Sequence, residues 1–179
     1  AEARKTFIAA IEAMMSSKSL FRMGVFGALY LSDPLLKVLD ASFGDMVLRS
    51  EELKTGLGIV LTRIDTGEIW SLTNHPRVRS SERGSLLLSQ VLLASMSTPV
   101  FLPPVVLRIA SDSGYYISGE LSIGPDPALH LFLVATGPAF PFHWRTGRRR
   151  IFLTSIGAGA PPIVKREPNA SPILSMVQV

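Results

Sequence analysis

The stretch YYISGELSIGPDPALHLFLVAT, residues 115–136, reads as a strand, a tight polar turn and an apolar helix, and the turn carries Ser118, Gly119, Glu120 and Asp126. Strand-end turns of this kind often present reactive groups, because open α/β sheets bind their ligands where strands end. Two acids on one loop can share a proton or hold a cation. Pro125 and Pro127 flank Asp126, however, and such a loop is commonly just a solvated turn.

Three histidines complete the candidates for proton transfer. His75 lies in the turn Asn74-His75-Pro76, His130 in an apolar helix and His143 in the aromatic run FPFHW. None has a carboxylate at ligand spacing and no HxxxH occurs, so no metal site is expected. A serine nucleophile of the strand-to-helix kind needs GxSxG, which the chain lacks. The serines with glycine neighbours, Ser85, Ser118 and Ser155, read as caps or turn residues. A hydrolase using Ser118 with His75 or His130 as base is the least favoured arrangement. Gly157-Ala158-Gly159 lacks the third glycine and the Lys/Ser/Thr continuation of a phosphate loop, and no cofactor is expected.

The elements that must position these groups follow from periodicity. Phe7, Ile8, Ile11, Met14 and Met15 form one apolar stripe of an N-terminal helix. Ser32-Asp33-Pro34 starts a second helix that ends near Gly44. Leu57–Arg63 is a continuous apolar run, the pattern of a strand covered on both faces. Asp65-Thr66-Gly67 turns the chain into the alternating strand Glu68–Thr73. Leu86–Met96 reads as an apolar helix stopped by Pro99. Val105–Ile109 and Tyr115–Ile117 read as strands around the polar turn Ser111–Gly114. Ala128–Thr136 is a buried helix and Ile151–Ser155 an interior strand. Strands alternating with helices predict an α/β sandwich with a mostly parallel central sheet flanked by helices. Residues 1–162 form one domain, and 163–179 a proline-containing tail.

Composition narrows the function. The chain has 179 residues, 47% of them hydrophobic, and a mean hydropathy of +0.33. Those values suggest a sheet buried on both faces or a surface that meets lipid or a partner. The uncharged run Gly84–Leu107 is long enough to cross a bilayer, but Pro99, Pro103 and Pro104 break it. The N-terminus lacks the pattern of a signal peptide. The net charge is +4, gathered at Arg77/Arg79/Arg83, Arg145–Arg150 and Lys165/Arg166. Without interleaved exposed aromatics or a nucleic-acid motif, these clusters point to a solvated face or an anionic lipid surface and away from nucleic acid. The absence of cysteine fits a reducing compartment, so the expected location is cytoplasmic, peripheral at a membrane.

Five segments in order, LYLSDPLLKVLDASFGD (29–45), TGLGIVLTRIDTGEIWSLTNHPR (55–77), ASMSTPVFLPP (94–104), YYISGELSIGPDPALHLFLVAT (115–136) and FPFHWRTGRRRIFLTSIGAGAPP (140–162), resemble the bacterial patatin-like acyl hydrolases. The likeness covers most of residues 20–162. It implies a lipid acyl hydrolase with a Ser-Asp dyad on a helix-flanked sheet. Its nucleophile would lie in a GxSxG elbow after a glycine-rich oxyanion loop. Neither element is in this chain, so the resemblance implies a missing N-terminal βα unit, on the order of 50 to 80 residues. The family's aspartate sits in an Asp-Gly-Gly turn followed by Asn-Asn-Pro. Carried onto this chain, the aspartate falls on Ser118 and the glycines on Gly119 and Glu120. Pro125, Asp126 and Pro127 then take the Asn-Asn-Pro positions.

A serine hydroxyl does not accept a proton as a carboxylate does, so the dyad chemistry fails at Ser118. The expectation is a catalytically silent relative. It would retain binding to lipid or a partner through the helix 86–96 and the arginines near 145–150. The rival expectation is a non-enzymatic assembly module, homo-oligomeric or bound to another protein, whose exposed sheet edge and apolar surface need a cover.

Overall fold

The computed structural model describes residues 2–17, 27–75, 77, 81–123 and 126–156. Helices α1 (Glu2–Ser16) and α2 (Asp33–Phe43) precede strands β1 (Gly58–Arg63) and β2 (Glu68–Thr73). The short α3 (Ser81–Gly84) and α4 (Leu88–Met96) lead to β3 (Val105–Ile109) and β4 (Asp112–Ser118). α5 (Glu120–Ile123) and α6 (Ala128–Thr136) follow. The Gly157-Ala158-Gly159 motif and the 163–179 tail lie outside the described residues.

The four strands form one sheet in the order β2-β1-β4-β3, and every pairing is antiparallel. The expected mostly parallel sheet is therefore corrected. For two of the three pairings the reason is local. β1 and β2 are joined by residues 64–67, and β3 and β4 by residues 110 and 111, whereas a parallel pair needs a crossover of a dozen residues or more. Gly67, at φ 75°, donates its N–H to the Arg63 carbonyl at 2.8 Å and closes the first turn. In the second loop Ala110 takes the positive φ, 55°, that a two-residue hairpin asks for. That turn is tighter than Ser111–Gly114 suggested, so β4 already begins at Asp112.

Alternation then sorts the side chains. Ile59, Leu61, Leu72, Leu107 and Tyr116 share one face and pack on Leu88, Val91 and Ala94 of α4 with Leu48 and Leu86. A second cluster joins Ala10 of α1, Leu35 and Leu39 of α2, Leu93 of α4 and Leu102. The helix expected over 86–96 is thus a core element that buries Leu88, Ser89, Val91, Leu93 and Ala94. α1 also differs from expectation: it buries Ala10, while Phe7, Ile8 and Met15 of the proposed stripe stay exposed.

The opposite sheet face is covered only in part. α6 lays Leu131 against Gly58 and α5 joins Ser122 to Thr62 through a 2.7 Å hydroxyl hydrogen bond. Ile69, Val106 and Tyr115 remain exposed on it, so the sheet is not buried on both faces. The predicted strand Ile151–Ser155 pairs with nothing among the described residues and runs as coil, exposed from Phe152 onward. A strand needs a neighbour to receive its backbone hydrogen bonds, and an apolar run alone does not supply one. No described helix is long and apolar enough to cross a membrane.

Candidate functional site

The Ser118 turn is built from both ends. β4 stops where the Ser118 N–H leaves the ladder and donates to the Ser97 carbonyl at 3.0 Å, and the Gly119 N–H donates to the Val60 carbonyl at 3.2 Å. Ser118 stands opposite Leu61 in the register, so its side chain points to the α4 side, where it is 8% exposed. Its Oγ accepts the Glu120 N–H at 3.3 Å, and the Gly119 carbonyl accepts from Ser122 and Ile123 at 3.0 Å each. That arrangement starts α5 with a serine turn. Glycine is required next to it: a Cβ on Gly119 would lie 2.6 Å from the Val60 carbonyl oxygen.

The acids expected near this turn are elsewhere. Glu120 is exposed. The Asp126 carboxylate accepts the Ala128 N–H at 2.9 Å and the Ser155 hydroxyl. Those two bonds, Ser155 first, hold its carboxyl below the usual range. Ser155, read as a turn residue, thus anchors to Asp126, while Ser85 caps locally on the Glu82 carbonyl at 2.6 Å.

The three histidines occupy three separate places. His75 Nδ1 accepts the Arg77 N–H at 3.1 Å and its ring meets Phe142 edge-on with centroids 4.5 Å apart. His143 is exposed at φ 46°. His130 Nε2 is 2.7 Å from Ser71 Oγ, not at Ser118. The pairing expected least, Ser118 with a histidine base, is absent among the described residues.

Sequence reasoning missed Ser71. It lies 59 positions from His130, and only the packing of α6 on the partly covered sheet face brings them together. A serine hydrogen-bonded to imidazole is two thirds of a nucleophilic triad. Among the described residues no carboxylate hydrogen-bonds the other ring nitrogen, so the pair ties α6 to the edge strand β2 without the orienting acid. Beside it a cleft of about 110 Å³ is lined by Leu57, Gly58, Thr73, Leu131, Val134 and Phe142 among others. Among the described residues the buried Thr73 hydroxyl has no hydrogen-bond partner there.

A strong charge cluster sits at the other end of the sheet. Arg63 Nε and Nη2 donate to Asp65 at 2.9–3.0 Å, and Nη1 donates to Asp112 at 2.6 Å. The guanidinium therefore fastens the β1–β2 loop to the start of β4. Hydrogen bonds from Arg63 pull both carboxyls below their ordinary values, and the same two carboxylates raise the guanidinium further. Gly114 leaves the room, since a Cβ there would come 2.6 Å from Arg63 Nε. Every polar group of this cluster is matched, which is the signature of a fastening. No group of three or more His, Asp or Glu among the described residues is placed to hold a metal.

No protein-family model matches the chain, and no curated protein matches it.

Proposed function

We propose that this chain is a catalytically silent relative of the patatin-like lipid acyl hydrolases that acts by binding. The observation that carries the reading is Ser118. A strand-to-helix turn with an obligatory glycine holds a neutral hydroxyl where the resemblance would have a proton-accepting carboxylate. That hydroxyl is occupied by the Glu120 N–H, and Asp126 is engaged with Ala128 and Ser155. The antiparallel sheet departs from what the resemblance implied, so the reading rests on the order of the segments and on this turn.

The test is direct. Incubated with a fluorophosphonate probe and separately with a p-nitrophenyl ester, the purified chain should show no covalent label and no hydrolysis above buffer. Label on any serine would end the silent reading. Label at Ser71, lost in Ser71→Ala and in His130→Gln, would replace it with a serine–histidine esterase.

A second reading, an assembly module, is favoured by α1, which leaves Phe7, Ile8 and Met15 exposed on a helix otherwise packed on α2. Sedimentation velocity decides it: a monomer at all concentrations counts against self-assembly.

A further inference from the structure

Residues 143–156, HWRTGRRRIFLTSI, carry four arginines and no acid, and they form a strap along α6. At one end the Trp144 N–H donates to the Ala135 carbonyl at 2.8 Å; at the other the Ser155 hydroxyl donates to Asp126, just before the helix. Between these anchors the backbone turns at Gly147, φ 132°, and at Arg149, φ 67°, with the Arg150 N–H on the Gly147 carbonyl at 3.1 Å.

What the strap displays is unusual for a solvated loop. Arg145, Arg148, Arg149 and Arg150 are all exposed and none makes an ion pair among the described residues. Beside them Phe152 is 95% and Ile156 88% exposed, with Trp144 and Leu153 more than half exposed. On α6 itself Leu129 and Leu133, one turn apart, are also exposed. Water makes such an apolar display unfavourable, and among the described residues the four arginines have no ion-pair partner.

We propose that this strap is a docking surface for an anionic lipid bilayer. Charge complementarity selects that occupant: clustered arginines attract the negative headgroup layer. Phe152, Leu153 and Ile156 bury in the acyl boundary, and the amphipathic ring of Trp144 sits at headgroup level. The inference deepens the binding role of the proposed reading, and its test is separate from that of catalytic silence, because the arginines and apolar side chains it uses make no hydrogen bond with Ser118 among the described residues.

Vesicle flotation tests it with the whole chain. Vesicles of equal parts phosphatidylcholine and phosphatidylglycerol should carry the protein upward at low salt, and vesicles of phosphatidylcholine alone should not. Replacing Arg148, Arg149 and Arg150 together by Gln should weaken partition on the order of a hundredfold. Phe152→Ser should weaken it several-fold and leave the remaining binding salt-sensitive. These residues are exposed, so the melting temperature of both variants should match the parent. Should the triple variant melt early, salt release of the parent protein from the anionic vesicles decides in its place.

Equal binding to both vesicle types, or anionic binding indifferent to the three arginines and to salt, overturns the proposal. Tighter binding to a duplex DNA fragment than to the anionic vesicles, lost in the triple variant, would reassign the strap to nucleic acid. Concentration-dependent dimerisation abolished by Phe152→Ser would reassign it to a second copy of the chain.

Discussion

Gly119 is the position where one atom decides most. The Val60 carbonyl it faces belongs to β1, an interior strand of the sheet, and cannot retreat without disturbing two ladders. Gly119→Ala should cost about 2 kcal/mol or more as overpacking. The check is a lower denaturant midpoint at unchanged slope. Ser118 next to it is less constrained, since its hydroxyl makes one bond of 3.3 Å. Both residues were legible from the sequence as a strand-to-turn junction, because an apolar strand, a Ser-Gly pair and a following helix pattern are all local. Ser71 and His130 were not. Each is unremarkable in its own segment, and their 2.7 Å contact exists only because α6 crosses that sheet face.

Between elements, the guanidinium of Arg63 is the fastening that joins the β1–β2 loop to the second hairpin. With it replaced by Gln, Asp65 and Asp112 lose their main hydrogen-bond donor, and the two carboxylates face one another without a cation between them. Their carboxyl titrations, followed by NMR, should move up toward the ordinary range, and the melting temperature should fall. Titrations unmoved by Arg63→Gln would show that another group sets them. Sequence reasoning found both hairpins, down to the Asp65-Thr66-Gly67 turn, yet drew a parallel sheet from the alternation of strand and helix patterns. It also made Ile151–Ser155 a strand. Apolar β-branched runs and buried strands share one signature, and the signature carries no information on who supplies the neighbouring ladder.

At the scale of the whole molecule, three carboxyls among the described residues are held below their ordinary value near 3.8: Asp65, Asp112 and Asp126. A carboxyl whose folded value is lowered binds its proton more readily unfolded. Its contribution is therefore complete above the ordinary value and is lost as the pH falls below it through the folded value. Stability measured by urea midpoint should be flat from neutral pH down to the ordinary carboxylate range, then drop. Arg63→Gln should flatten the drop by removing two of its three sources. A stability that rises on acidification would contradict this. At the same scale, the exposed Arg and apolar strap beside α6 makes association with a charged lipid surface a property of the assembled face, which no single segment announces. Sequence alone determined the helices α1, α2, α4 and α6, the two hairpins and the strand-end turn at Ser118, because hydrophobic period and turn chemistry act over a few residues. The pairing of β1 with β4, the burial of α4, the meeting of Ser71 with His130 and the exposure of residues 152–156 were decided by tertiary structure. Each depends on which distant segment arrives to satisfy a backbone or cover an apolar face.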